Sequence, residues 1–228
     1  MPGRVFALFL LLLAVSFPAF ANSPLAALPD SGKVETIGPF TDANASDALK
    51  KALEPKGYRV MLGDGAVLCE IWLRKGITGG KNDAQGAAYT WLTDSALVAV
   101  ITFPKSTTDY RRQPLKAGSY TLRYAVHPID GNHIGISPIR DFLLLVPVAD
   151  DQNPDAKYSF EDLAKMSKKT SGTNHPAPMS LVTPEGINAW PSVIEDENGH
   201  LVFAAKVKTS PGAESPIAFV IKGVVEQL

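Results

Sequence analysis

Short apolar segments, separated by glycine and proline, run through most of the 228-residue chain. The clearest pair lies on either side of Gly63-Asp64-Gly65, where glycine tolerates the positive φ angles of a tight turn. In the second of these segments, VLCEIWL (67–73), Cys69 and Ile71 fall on one face of an extended strand and Glu70 falls on the other. This alternation predicts a β-hairpin with one packed face.

Further segments have the pattern of strands. ALVAVITF (96–103) and DFLLLVPV (141–148) are apolar at almost every position, and we expect at least the latter to be covered on both faces. KAGSYTLRYAVH (116–127) alternates, and Asn198-Gly199 between the apolar runs of residues 191–207 predicts a second hairpin. No strand–helix–strand rhythm is visible. The expected fold is therefore an all-β, antiparallel β-sandwich, Ig-like or jelly-roll-like, with one short inserted α-helix.

The inserted helix is expected in YSFEDLAKMSKKTSG (158–172). Ser159 can cap its first turn, and Asp162 holds the reciprocal position of a capping box. Apolar residues follow at helical spacing, and Gly172 suits the C-terminal end. A second, weaker helix pattern covers residues 46–53.

The first residues of the chain have the pattern of a secretory signal peptide. Arg4 precedes an apolar run of ~13 residues, too short for a membrane span of ~20, and Ala19-Phe20-Ala21 is a small-x-small cleavage signal. Cleavage after Ala21 predicts an exported protein, periplasmic or extracellular, without a membrane span; the alternative is an uncleaved anchor. KAGSYTLRY (116–124) is similar to strand openings in exported bacterial β-sandwich modules, a similarity that defines no family.

After removal of the signal peptide the chain is long enough for one large β domain or two small ones. The polar stretch ADDQNPDAK (149–157) is the best candidate for a boundary within it. We expect a signal peptide (1–21), an N-terminal segment with a short helix (22–56), a β-sandwich domain (57–150), and a helix with C-terminal strands that complete the same domain (151–228).

Charge and cysteine content narrow the classes of function. The chain has 22 Lys and Arg against 23 Asp and Glu, a net charge of −1, and no basic run, so nucleic acid is not an expected partner. Cys69 is the only cysteine, which rules out an internal disulfide. Its place inside an apolar strand predicts a buried side chain and not a reactive thiol.

The best candidate for a functional site is HPIDGNHIGISPIRD (127–141), a connection of ~14 residues where a hairpin needs only two to five. Long ordered connections often carry function, and the apolar residues of this one predict that it is packed down. Its polar groups can brace the loop backbone and still present a surface to a protein or carbohydrate ligand. The candidate binding residues are His127, Asp130, Asn132, His133, Ser137, Arg140 and Asp141, joined by Tyr89 and Trp91.

Tyr89 and Trp91 belong to AAYTWLTD (87–94) and share one face if that segment is extended. With Trp72 or Tyr110 they could form a stacking platform for a sugar or peptide. The alternative is that they are ordinary core aromatics, which sandwich folds use heavily.

A metal site is the second interpretation of the connection. The residues that would supply nitrogen and oxygen ligands suited to Zn²⁺ or Cu²⁺ are His127, Asp130, His133 and His175. Their spacing matches no specific metal motif, so no cofactor is assigned.

A hydrolase is the third interpretation. Ser137, His133 and Asp141 are the residue types of a serine hydrolase, whose serine must lie within hydrogen-bond reach of the histidine. Ser137 lies in GISPI and not in a G-x-S-x-G elbow, so no catalytic residue is assigned. The sequence therefore favours a binding or accessory protein over an enzyme.

Overall fold

The computed structural model describes residues 32–129, 137, 139–209 and 212–225, so the predicted signal peptide lies outside the described residues. The elements in chain order are β1 (Lys33–Ile37), α1 (Asp47–Ala52), β2 (Gly57–Met61), β3 (Val67–Leu73), β4 (Leu97–Phe103), β5 (Thr107–Thr108), β6 (Pro114–Leu115), β7 (Gly118–Val126), β8 (Asp141–Pro147), α2 (Phe160–Ser171), β9 (Pro178–Ser180), β10 (Ser192–Glu195), β11 (Leu201–Thr209) and β12 (Ala213–Lys222). Of the helices that the structure describes, none has the length and apolar character needed to cross a membrane.

Antiparallel sheets make up most of the regular secondary structure in this part of the chain. Seven strands form the large sheet, in the order β1-β2-β3-β4-β7-β8-β9, and β10, β11 and β12 form the small sheet. The short strands β5 and β6 pair only with each other. Most strands of the large sheet lie beside their neighbours in sequence, which is the usual outcome of short connections. The expected all-β, antiparallel, sandwich-like fold is confirmed.

The main hydrophobic core lies between the two sheets. Ile71 and Leu122 of the large sheet and Phe203 and Phe219 of the small sheet are fully buried there. The rings of Phe203 and Phe219 are 5.5 Å apart and tilted by 55°. Each such side chain contributes ~1.5–3 kcal/mol by leaving water, so this core is what holds the two sheets together.

Both predicted hairpins are present. β2 and β3 are joined through Gly65, at φ +80°, and the Leu62 N–H donates to the Ala66 carbonyl at 2.8 Å. β10 and β11 are joined through Gly199, at φ +74°. Cys69 on β3 is buried as expected, and desolvation raises the pKa of its thiol.

Two helices cover the face of the large sheet that is turned away from the small sheet. Leu49 of α1 packs in a cluster with Trp72, and Leu163 of α2 packs in another with Phe142 and Leu144 of β8. Alternate residues of β8 belong to the core between the sheets. This strand is therefore buried on both faces, as its apolar sequence predicts.

Both helices begin after a serine cap, which was predicted for Ser159 and is found also at Ser46, the first residue of the weaker helix pattern. Ser46 Oγ accepts the Leu49 N–H at 3.0 Å, and Ser159 Oγ accepts the Asp162 N–H at 3.1 Å. α2 ends at Gly172, whose φ of 65° is left-handed. These boundaries follow from local side-chain chemistry, which is why the sequence alone predicts them.

The polar segment 149–157, the expected boundary, is fastened to the large sheet by a buried ion pair. Arg123 on β7 and Asp151 are both 0% exposed, and Nε and Nη2 of the arginine donate to the two carboxylate oxygens at 2.6 and 2.8 Å. The other guanidinium donors reach, at 2.7–3.0 Å, the carbonyls of Ser95, Asn153 and Ala156. All five N–H donors of the arginine are therefore used.

Asp151 is equally well satisfied. Besides the two bonds from Arg123, it accepts from the hydroxyl of Thr121 at 2.6 Å and from that of Tyr158 at 3.1 Å. The guanidinium carbon lies 4.9 Å from the centroid of the Tyr158 ring. The ion pair thus joins β7, the 149–157 segment and the residues that lead into α2.

Candidate functional site

The connection 127–141 joins two strands that are neighbours in the large sheet, as its sequence predicts. β7 ends at Val126, which pairs with Asp141 at the start of β8. Three of the predicted binding residues lie outside the described residues, namely Asp130, Asn132 and His133. The site is therefore defined by the two ends of the connection and by what packs against them.

Asp141 fastens the β3–β4 loop (residues 74–96) onto the end of β7. It is fully buried; Oδ2 accepts the Ala88 N–H at 2.8 Å and Oδ1 accepts the Tyr89 N–H at 2.9 Å. Oδ1 also accepts from the Tyr124 hydroxyl at 2.6 Å, and Asn82 donates to that hydroxyl at 3.1 Å. The role of this carboxylate is to hold the loop in place.

Arg140 and His127 brace the two ends of the connection against each other. Arg140 donates to the carbonyls of Gln85 and His127, and the His127 N–H donates to the Arg140 carbonyl at 2.9 Å. The His127 ring stacks on Phe142, with centroids 4.0 Å apart and planes at 14°. Arg140 Nε is buried without a hydrogen-bond partner among the described residues. Its hydrogen-bond partners among the described residues are neutral carbonyls, which carry no charge to pair with the guanidinium.

Ser137 ties the connection to β9. Its Oγ lies 2.6 Å from Oγ of Ser180, a buried residue whose hydroxyl also donates to the Leu181 carbonyl. In the hydrolase interpretation the serine and the carboxylate would be Ser137 and Asp141. Both make structural contacts here, Ser137 with Ser180 and Asp141 with the three donors given above.

A cleft of about 280 Å³ opens beside these residues. Four segments form it: the β3–β4 loop, the end of β7, the 127–141 connection and the residues around the start of α2. Its apolar lining comes from Ala84, Ala125, Val126, Pro128, Phe160 and Leu163. Phe160 is 47% exposed, which is unusual for so large an apolar side chain in a folded domain.

Two polar residues connect the cleft to a second cavity. Asp94 and Ser95 line both the cleft and a cavity of about 360 Å³ between the β3–β4 loop and residues 154–157. Ser95 has a φ of 60°, rare for a residue with a side chain. Its carbonyl accepts from Arg123 and its Oγ accepts the Tyr158 N–H at 3.0 Å. Such conformations persist only where surrounding contacts fix them, and they cluster at functional sites.

Tyr89 and Trp91 do not form an exposed platform. Tyr89 is 3% exposed; its hydroxyl donates to the Val182 carbonyl at 2.6 Å and accepts the Ala218 N–H at 3.0 Å. The two rings meet edge to face, 6.1 Å apart. The other two aromatic residues considered for the platform are Trp72 and Tyr110, and each lies in a different hydrophobic cluster. Tyr89 thus links the β3–β4 loop to the small sheet.

The structure does not bring His127 and His175 together. His127 lies beside Arg140, just before β8 begins. His175 lies near Ala177, whose carbonyl accepts the Leu145 N–H at 3.0 Å, further along β8. Arg140 and Leu145 are separated by about five strand residues, or ~16 Å at ~3.3 Å per residue. Among the described residues there is no group of three or more His, Cys, Asp or Glu side chains that could hold a metal ion.

Sequence patterns located the connection but missed the aromatic residues of the cleft. Tyr124 alternates with core residues of β7, and Tyr158 and Phe160 begin the helix pattern of α2, so none of the three is distinguished from a packing residue. Their place in the cleft depends on how α2 packs on β8. The exposure of Phe160 is a structural signal at this end of the helix.

Burial of tyrosines should make the fold sensitive to alkaline pH. Desolvation raises the pKa of Tyr89 and of Tyr124 above the ordinary value of 10.0, and for Tyr124 the hydrogen bond to Asp141 and its charge act in the same direction. In the unfolded chain both phenols ionise near pH 10, whereas the folded protein retains their protons. The free energy of unfolding therefore falls as pH rises above 10, by up to ~1.4 kcal/mol per pH unit for each tyrosine.

A titration followed by tyrosinate absorbance and circular dichroism measures this effect. We expect these two phenols to ionise only as the fold is lost, and Tyr124→Phe to lessen the slope of stability against pH. Ionisation of both phenols with an unchanged native spectrum would contradict the prediction.

The fold and the cleft define the protein as a helix-covered antiparallel β-sandwich with a small apolar cleft at one end of its large sheet. Comparison with known protein families, with curated proteins and with solved structures finds no match for the chain. Function can therefore be inferred only from the sequence and the structure of this chain.

Proposed function

We propose that this protein is an exported binding protein, without a reaction of its own, whose ligand occupies the cleft beside the 127–141 connection. Export is inferred from the signal peptide expected over residues 1–21. The binding role rests on one observation, a concave and mostly apolar surface built from four separate segments. Buried bonds of Asp141 and Arg123 fix those segments, and preformed apolar clefts with few polar groups are typical of ligand sites.

The size and chemistry of the cleft restrict the ligand. Its volume of about 280 Å³ is close to the lower end of the ~300–1,000 Å³ range of small-molecule sites. Val126, Phe160 and Leu163 offer contacts to an apolar body. Arg140 adds a positive charge that favours an anionic group, while Asp94 disfavours a second one. The proposed ligand is a compact apolar molecule with one anionic group.

Neither alternative function has comparable support in the described part of the chain. The four-ligand metal site would need His127 and His175 close together, and a hydrolase would need a free carboxylate at Asp141. The binding proposal requires neither of these.

Two fluorescent probes of nearly the same shape test the proposal: anilinonaphthalene sulfonate, which is anionic, and phenylnaphthylamine, which is neutral. We expect one saturable site for each. Ala84→Trp, which fills the cleft from the β3–β4 loop, abolishes binding of both. Arg140→Met weakens the sulfonate at least tenfold and the neutral probe less, because an ionic hydrogen bond contributes ~1.5–3 kcal/mol.

The matched control is Ala66→Trp, in the turn between β2 and β3, which is expected to bind both probes as the unmodified protein does. Thermal melts of all variants show whether the fold is retained. Undiminished binding to a folded Ala84→Trp protein would overturn the proposal.

A further inference from the structure

A groove of about 330 Å³ runs along an open edge of the small sheet. β10 pairs with β11 only as far as Ser192 and Ala204, although β11 continues to Thr209. The next contact on that side is Ile77, whose N–H donates to the Lys208 carbonyl at 2.9 Å. Within the described residues, the stretch between Ala204 and Lys208 therefore has no strand beside it on this side.

The backbone groups of Lys206 point into this gap. Successive residues of a strand direct their backbone groups to alternate sides, so Lys206 points the same way as the Lys208 carbonyl, toward the open side. On the other side Lys206 lies opposite Pro216 of β12, which has no N–H to donate. The edge thus presents one donor and one acceptor in the geometry of a β-ladder.

Aromatic rings and ammonium groups flank the gap. Lys206 Nζ lies 6.0 Å from the centroid of the Trp190 ring, and Lys56 Nζ lies 5.9 Å from that of Tyr58. Both rings line the groove. These lysines therefore have aromatic faces as their described partners, which leaves their charge free to attract an anion.

The groove as a whole is positive. Its lining contains four cationic side chains against two carboxylates, Glu54 and Glu214. One of the four, Arg74, is paired with Asp155, and Lys208 lies 3.6 Å from Glu54. Apart from these pairs, Lys56 and Lys206 stand against Glu214, which leaves an excess of one positive charge.

We propose that this groove binds an extended acidic peptide segment, which adds to the open edge of β11 as a short strand. A free N–H and C=O on a strand edge recognise another peptide backbone, the lysines attract Asp or Glu, and the aromatic walls take apolar side chains. The open stretch is the three residues 205–207, and Ala204 and Lys208 at its ends are ~13 Å apart, so the partner contributes a short segment. The groove shares no lining residue with the cleft of the proposed function.

A set of capped seven-residue peptides tests this proposal. The parent peptide alternates Glu and Val, and a second peptide has Lys in place of every Glu. Two further peptides have the parent sequence with N-methyl groups on alternate residues: one is methylated at the odd-numbered residues and the other at the even-numbered residues. Binding is followed by amide NMR of the labelled full chain. We expect the acidic parent to slow hydrogen exchange of the Lys206 amide at least tenfold, and the Lys peptide to have no effect.

The N-methylated peptides separate strand addition from charge attraction, because only alternate amides of an added strand face β11. One methylation pattern is expected to lose at least tenfold in affinity and the other to bind as the parent does. Lys206→Glu should also weaken the parent peptide at least tenfold, whereas Lys222→Glu, at the far end of β12, should not. Equal binding of both methylated peptides would mean that charge attraction alone holds the peptide, and it would overturn the proposal. The proposal would also be overturned if the Lys206 amide were already protected from hydrogen exchange without peptide, by self-association of the chain.

Discussion

Arg123→Ala is expected to lower the free energy of unfolding by about 3–5 kcal/mol, the range typical of breaking a buried ion pair from one side. The substitution leaves the Asp151 carboxylate without its charged partner in a site that is 0% exposed. It also removes the donors to the carbonyls of Ser95, Asn153 and Ala156. Urea denaturation followed by circular dichroism measures the loss.

Arg59→Ala is the matched control, because Arg59 also pairs with a carboxylate on the large sheet. Its partner Glu70 lies 2.7 Å away, and the two side chains are 39% and 23% exposed. Such a pair contributes ~0.2–1 kcal/mol. A loss for Arg123→Ala no larger than that for Arg59→Ala would show that the buried pair is not a major source of stability.

A double variant, Arg123→Met with Asp151→Leu, separates the cost of an unpaired charge from the value of the pair. Because removing both charges leaves no isolated ion, we expect a loss smaller than the sum of the two single losses. The loss should not vanish, since three carbonyls and the Thr121 and Tyr158 hydroxyls also lose their partner.

Asp141→Ala is expected to cost about 3 kcal/mol or more, since each buried donor left without a partner costs ~1–3 kcal/mol. The donors are the backbone N–H groups of Ala88 and Tyr89 and the hydroxyl of Tyr124. Loss of these hydrogen bonds to Asp141 also frees the β3–β4 loop from the end of β7. Urea denaturation gives the energy, and hydrogen exchange at Ala88 and Tyr89 shows whether the loop opens.

Asp83→Ala is the control, because Asp83 lies on the same loop but is 74% exposed and pairs only with Lys81, at 2.8 Å, among its described ion-pair contacts. We expect a change within ~0.5 kcal/mol and unaltered exchange. If Asp141→Ala kept the stability and exchange of the unmodified protein, the proposed fixing of the cleft wall by Asp141 would be wrong.

Much of the fold could be predicted because the deciding signals are local. The Gly65 and Asn198-Gly199 turns define their hairpins, Ser159 and Gly172 define the helix, and the unbroken apolar run of β8 shows that both faces are covered. Each of these depends on residues close together in the sequence.

The buried ion pair could not be predicted, because its partners are 28 residues apart and neither is marked by its neighbours. Arg123 occupies a polar position of an alternating strand, and Asp151 belongs to a stretch so polar that it suggested a boundary. The pairing depends on the path of the chain after β8. Composition describes what a segment contains and not what lies opposite it.

The candidate site also has one part that the sequence predicts and one part that depends on tertiary packing. The length of the 127–141 connection and the strands at its ends were predicted, and the structure confirms that those strands are neighbours. The cleft beside it is formed by Phe160, Tyr158 and the β3–β4 loop, whose approach is a matter of tertiary packing. The choice of individual binding residues within the connection stays a prediction.

The position of Cys69 makes unfolding measurable in the unaltered chain. Its side chain has no exposed surface, so a thiol-reactive dye can reach the sulfur only in molecules whose layers have separated. Since the sequence has no other cysteine, each labelled molecule records one such opening, and at dye concentrations where labelling outpaces reclosing the labelling rate is the rate of opening.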